Sequence, residues 1–241
     1  GMGYIIVNAS YSIVISIIII LVLIALIITF NFDKYEFNIN KIKASNIKYT
    51  LRDKQSRQIY KMVFFEGMGF RGGLDTTVTL IIFLTLGSES SLGNLNALFC
   101  LLGLVTSLLV KKCIKEEHNK KSFIISALSI FIVTIPIIFT SSFTMFIIYN
   151  IVFNIAYKIT QILVDTAVFN IHSNETIKKY YLEYTFVGET IHGFGKALSE
   201  LILLIAVMYS FNITSLRIVA AILSCSIIFQ TFVYNNINKN N

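Results

Sequence analysis

The side chains best able to do chemistry in this sequence are charged and amide groups that recur at helical intervals inside strongly apolar surroundings. Asn150, Asn154, Lys158, Gln161 and Asp165 follow one another at spacings of four, four, three and four residues, which puts all five on one stripe of a helix. Glu189, His192, Lys196 and Glu200, spaced three, four and four, form a second stripe beside Gly188, Gly193 and Gly195. A third stretch, EGMGFRGGLD, holds Glu66, Arg71 and Asp75 among Gly67, Gly69, Gly72 and Gly73. Arg71 and Asp75 lie four apart and can pair on one helix face. The glycines either let a neighbouring helix approach closely or loosen the helix near a binding site.

Such charges are costly at the centre of a bilayer, at about 2.5–3.5 kcal/mol each on insertion scales. Eight of them (Glu66, Arg71, Asp75, Lys158, Asp165, Glu189, Lys196 and Glu200) facing lipid would cost on the order of 20 kcal/mol, more than the whole stability of a typical domain. They must therefore face one another or water. Five acids against three bases leave two carboxylates without a permanent cationic partner. Carboxylates in that position are protonated or meet a cationic ligand, which is what a proton path or a cation site requires. The alternative for any single residue is a static interhelical ion pair that fixes helix register. For the stripes as wholes a functional role is favoured, because packing alone rarely uses so many charges.

Other chemistries find less support. The three histidines are His118 in a loop, His172 at a helix end and His192, which forms Glu-x-x-His with Glu189. One copy of that motif is weak evidence for a dinuclear site, and the sequence has no HExxH, P-loop or dinucleotide fingerprint. Cys100, Cys113 and Cys225 have no metal or redox spacing. No enzyme activity, metal or cofactor is expected. The sequons at Asn8, Asn174 and Asn212 are short enough to arise by chance in an Asn-rich chain.

The elements that must position the stripes follow from composition. Of 241 residues 55% are apolar and 14% charged, with one proline and a mean hydropathy of +0.74. A soluble domain has too much surface to be this apolar. Disorder and disulfide scaffolds need more polarity or more cysteines, and a coiled coil needs charged heptads. A helix needs about 20 apolar residues to cross the roughly 30 Å hydrocarbon core. Seven runs qualify: Tyr4 to Phe30, Met62 to Leu86, Leu92 to Val110, Ser122 to Thr140, Phe143 to Ile171, Leu182 to Phe211 and Leu216 to Tyr234. The runs are continuous rather than alternating, so helices are preferred to barrel strands. The expected fold is an all-α polytopic transmembrane bundle of seven spans.

Most of the 20 Lys and Arg fall in alternate loops. Lys34, Lys41, Lys43, Lys48, Arg52, Lys54, Arg57 and Lys61 separate the first two spans, Lys111, Lys112, Lys115, Lys120 and Lys121 the third and fourth, and Lys178 and Lys179 the fifth and sixth, with Lys239 after the seventh. The positive-inside rule then puts the N-terminus outside and the C-terminus in the cytoplasm of a plasma-membrane protein. Topology accounts for the net charge of +7, so nucleic acid is not an expected partner. The basic stretch 41–61 can touch anionic lipid, though a solvated linker is the simpler account. The chain divides into a first span (1–30), a basic cytoplasmic linker (31–61), a six-helix domain (62–234) and a tail (235–241). Within the six-helix domain the spans run polar, milder (with Asn94 and Asn96), apolar, then polar, polar, apolar, a weak internal symmetry of the kind transporter repeats show.

At this point the chain resembles the major facilitator superfamily, with the C-terminal six-helix half preceded by the last helix of the N-terminal half. The resemblance covers essentially the whole chain. It rests on the long basic central loop, the EG pair opening the second span, GSESSLGNLNALF from Gly87 to Phe99, the basic KKCIKEEHNKK loop from Lys111 to Lys121, and EYTFVGETIHGFGK from Glu183 to Lys196. In some bacterial branches the last passage has an arginine before the glutamate and ends in Gly-Arg; here those places hold Gly188 and Gly195-Lys196. The loop after the third span keeps only the basic character of the family's Gly, Asp-Arg, Gly-Arg pattern. The resemblance implies secondary active transport of a small solute by alternating access, symport or antiport, in which two six-helix halves rock around a central cavity. The other five N-terminal helices then lie outside this chain, and an N-terminal six-helix half is an expected partner alongside the lipid bilayer and a small-molecule substrate. Arg71, Asp75, Asn154, Lys158, Gln161 and Asp165 are the expected cavity or gating residues, with His192, Lys196 and Glu200 on the second polar wall. Glu66, Asp165 and Glu189 are candidates for a coupling proton. A seven-helix receptor or sensor fits the same topology but leaves the triplet pattern unexplained; a retinal protein needs a lysine in the seventh span, which has none.

Overall fold

The computed structural model describes residues 11–30, 42–70, 72–86, 99–110, 118–140, 142–172 and 179–237, and every regular element among them is helical. In chain order the helices are α1 (Tyr11–Phe30), α2 (Ala44–Arg52), α3 (Lys54–Met68), α4 (Gly73–Leu86), α5 (Phe99–Val110), α6 (Asn119–Phe139), α7 (Phe143–His172), α8 (Tyr181–Tyr209) and α9 (Ile213–Ile237). Arg71, Asn94, Asn96, Cys113, the sequons at Asn8 and Asn174, and the bases Lys111, Lys112 and Lys115 lie outside the described residues.

Among the described helices, Asn119–Phe139, Phe143–Asn170, Tyr181–Tyr209 and Ile213–Asn236 are long and apolar enough to cross a bilayer, and Ile19–Ile28 and Phe99–Val110 are shorter apolar helices. The 30 residues of α7 make a rod of about 45 Å, longer than the roughly 30 Å hydrocarbon layer. The outer faces are apolar. α1 exposes every side chain from Ile19 to Ile28, α6 exposes Ile125, Ile132 and Phe139, and α9 exposes Ile218, Ile222, Phe229 and Phe232. A surface of that extent is a liability in water and the normal condition in lipid.

The apolar run from Met62 to Leu86 is not one helix. α3 begins at Lys54, two turns ahead of the predicted start at Met62, and ends at Met68. Gly69, with φ −97° and ψ −84°, opens a turn before α4 restarts at Gly73. A break leaves the first N–H groups of the new helix without intrahelical partners. Here α8 supplies the partner: the Gly73 N–H donates to Ser199 Oγ at 2.9 Å, and Ser199 Oγ donates to the Lys196 carbonyl at 2.8 Å. Ser199 is fully buried and acts as an N-cap lent by a neighbouring helix.

The glycines of this stretch serve close approach as well as the break. A Cβ on Gly67 would run into the His192 carbonyl oxygen, and a Cβ on Gly195 into that of Phe64, so each helix seats a backbone carbonyl of the other three residues before its own glycine. α3 and α8 thus cross backbone to backbone, the small-residue packing that membrane helices use in place of a hydrophobic drive. A Cβ on Gly69 would strike Ser226 Oγ, which brings α9 against the break.

The remaining packing fixes the bundle. α3 and α4 lie against α8 and α9, α6 packs on both α7 and α9, and α3 touches α7. α5 approaches α7 at Gly103, where a Cβ would sit 3.5 Å from Lys158 and 3.7 Å from Asn154. At the centre Leu74, Ile81, Ile130, Leu216, Leu223 and Ile227 are wholly or almost wholly buried. Phe123 stacks on Tyr234 with ring centroids 3.8 Å apart.

The described part of the predicted linker is folded. Asp53 caps α3, its carboxylate accepting from the Ser56 N–H at 2.7 Å and Oγ at 2.8 Å. α2 is fastened to the start of α8 by Glu183, 5% exposed, whose Oε1 accepts from the Lys43 N–H at 3.1 Å and Asn46 Nδ2 at 2.9 Å.

Candidate functional site: two polar spaces between the helices

The larger space is a cavity of about 700 Å³ between α4, α5 and α7, within the range that holds small-molecule ligands. Its polar lining is Asp75 and Thr79 from α4, Ser107 from α5, and Asn150, Asn154 and Lys158 from α7. Asp75 stands in the first turn of α4, where the free N–H groups and helix dipole favour a carboxylate. Arg71 lies outside the described residues, and α4 itself starts at Gly73.

On α7 the stripe is held by its own helix. Asn150 Nδ2 donates to the Phe146 carbonyl at 2.8 Å and Asn154 Nδ2 to the Asn150 carbonyl at 2.9 Å, leaving each amide oxygen and its second N–H to offer a ligand. Lys158 Nζ donates to Gln161 Oε1 at 3.2 Å and lies 5.4 Å from the centroid of the Tyr157 ring, a cation–π contact. Gln161 does not line the cavity; it positions Lys158. Beside these groups runs an aromatic ladder, Tyr149 on Phe153 at 5.3 Å and Phe153 on Tyr157 at 5.6 Å, with Phe70 6.3 Å from Tyr157. The cavity therefore combines a carboxylate, an ammonium, amide oxygens and ring faces, a set suited to a small polar solute with an apolar part.

The second space is a cleft of about 100 Å³ where α3, α7 and α8 meet. Glu66, 3% exposed, lines it together with Asp165, Glu189, His192 and Thr185. The three carboxylates singled out for proton coupling thus come from three helices to one cleft. Among the described residues no three His, Cys, Asp or Glu side chains come together tightly enough to hold a metal ion.

The stripes divide between these spaces. From Asn150 to Asp165 the α7 stripe runs for about 22 Å, too long for one pocket, so its first part lines the cavity and Asp165 the cleft. Of the α8 stripe, Glu189 and His192 reach the cleft. Lys196 and Glu200 line neither space and are exposed; Glu200 Oε1 accepts from Thr76 Oγ1 at 3.2 Å. The side chain of His172 is outside the described set. Thr79, Thr185, Tyr157 and Ser199 were not singled out in the sequence. Thr79 and Thr185 stand four residues from Asp75 and Glu189, on the faces those carboxylates mark; nothing in the sequence marks Ser199 as a cap for another helix. No protein-family model, curated protein or solved structure matches the chain.

Proposed function

We propose that the chain is the C-terminal portion of a secondary active transporter of the major facilitator type. In this account it has seven spans, its N-terminus outside and its C-terminus in the cytoplasm, and it moves a small solute by alternating access. The observation that carries the proposal is the charged face of α8. Glu189, Lys196 and Glu200 are exposed along it. Left against lipid, these three would cost roughly 7–11 kcal/mol. A second six-helix half that closes over this face, enclosing water and substrate, removes that cost. The interruption between α3 and α4 supports the same account, because interrupted helices are where such transporters place their sites.

In this scheme Asp75, Asn150, Asn154 and Lys158 contact the solute, while Glu66, Asp165 and Glu189 exchange the coupling proton. The test is gradient-driven solute movement in membrane vesicles that hold the complete two-half assembly, with solutes chosen by thermal stabilisation of that assembly. Asp75→Asn and Lys158→Gln should abolish movement and weaken the stabilisation. Glu66→Gln, Asp165→Asn and Glu189→Gln, made singly, should leave insertion and solute binding intact, and at least one should remove the dependence on the proton gradient. Unchanged gradient dependence in all three ends the coupling assignment. Stabilisation by a solute that never crosses the membrane would instead identify a seven-helix receptor.

A further inference from the structure

We infer that the outward face of α2 and the first turns of α3 form a binding surface for the headgroups of anionic phospholipid. Among the described residues the surface is basic with almost no compensating acid. Lys48 and Arg52 lie one turn apart on α2, and Lys54, Arg57 and Lys61 follow at spacings of three and four on α3; all five are exposed. The acid within the stretch, Asp53, is occupied in capping α3, and the neighbouring Glu183 is buried against Lys43 and Asn46. Neither is placed to neutralise the exposed bases.

Charge alone suits many anions, but two further observations select a lipid. The first is amphipathic construction. Thr50 is buried and Ile47 packs on the core, while Ile42, Tyr49 and Leu51 remain 48%, 44% and 44% exposed among the bases. Apolar side chains interleaved with bases suit the boundary between headgroups and acyl chains and gain nothing from a soluble anion. The second is depth. α2 is fastened to the first turn of α8, a helix long and apolar enough to span, and there the exposed Tyr49 meets Tyr180 at 5.0 Å beside the exposed Tyr181. Tyrosines gathered at the end of a span mark the interfacial layer. The Glu183 hydrogen bonds hold α2 there, so its basic face meets the membrane already ordered. This inference needs only that the long helices are membrane-embedded, and it stands apart from the transport proposal.

The test is retention of lipid by the full chain in detergent, read by native mass spectrometry after addition of equal phosphatidylglycerol and phosphatidylcholine. Two engaged bases at about 1 kcal/mol each give a preference for phosphatidylglycerol of at least tenfold. Lys48→Gln/Arg52→Gln, which leaves α3 intact, should reduce the ratio severalfold, and the five-base variant should bring it near one. Lys120→Gln/Lys121→Gln on α6 is the control and should leave it unchanged. Three results would overturn the inference: no preference in the parent chain, a preference that survives the five-base variant, or an equal fall in the control. Glycerol phosphate, added in equimolar amount to the lipid, should not displace it; full displacement would identify a site for soluble phosphate and refute the lipid assignment.

Discussion

Two glycines two residues apart on α8 should respond in opposite ways to the same added methyl group. A Cβ on Gly193 meets nothing within 4 Å, whereas one on Gly195 would press into the Phe64 carbonyl oxygen and lie 3.2 Å from the Met68 nitrogen. Both substitutions gain the helix propensity of alanine over glycine, about 0.8–1.0 kcal/mol. For Gly193→Ala that gain stands alone, so the variant should be more stable by about 1 kcal/mol. For Gly195→Ala the obstacle is backbone, which cannot rotate aside as a side chain does, and overpacking of this kind costs about 1–3 kcal/mol. Gly195→Ala should therefore lie below Gly193→Ala by about 1–3 kcal/mol, or roughly 2–12 °C in midpoint for a chain of this length. Thermal unfolding of the purified chain in one detergent, followed by loss of the monodisperse gel-filtration peak, measures the difference. Equal midpoints, or a less stable Gly193→Ala, would refute the backbone-to-backbone crossing. Gly67→Ala provides the reciprocal check from α3 and should resemble Gly195→Ala. The double variant should cost less than the sum, since the first methyl group already parts the helices.

Two further perturbations address the supports of the site. Ser199→Ala removes the hydroxyl that receives the Gly73 N–H and should cost about 1–2 kcal/mol, read as a lower unfolding midpoint with faster hydrogen exchange at the start of α4; exchange there equal to the parent's would show that the hydroxyl does not cap that helix. Glu183→Ala releases the Lys43 N–H and the Asn46 amide from a charged acceptor worth about 1.5–3 kcal/mol. Amide exchange across α2 should accelerate tenfold or more, while α6 and α9 stay protected; unchanged exchange would mean that α2 is held by its other contacts.

Much of the architecture is written in single-residue periodicity, and what is not depends on contacts between distant segments. Spans four to seven match α6 to α9 to within about one helical turn, because continuous apolar runs at membrane length admit few other structures. The apolar run from Met62 to Leu86 reads as one helix, and the structure divides it between α3 and α4. Its glycines were compatible with close packing or with loosening, and the structure uses them for both, a distinction that rests on His192, Ser199 and Ser226 on other helices. The linker was read from its charge and length, which do not reveal that α2 is pinned by Glu183, a residue 140 positions from Lys43. Stripes were legible, but their partition was not. Periodicity gives the face of Asp165 and says nothing of where one space ends and the next begins. Nor does it show that Glu66 and Glu189 come to the same cleft, since that depends on the α3–α8 crossing.

The interlocked carbonyls of α3 and α8 also constrain how the molecule moves. A carbonyl seated in a notch where a neighbour has no Cβ works like a tooth in a rack: sliding along the axis is blocked while the two rods stay engaged. Any rearrangement must then carry the lower arm of the second span and its neighbour together as one strut. Bending has to be taken up at the elbow between Gly69 and Gly73. Ser199, which belongs to the strut yet grips the upper arm through the Gly73 amide, marks the pivot.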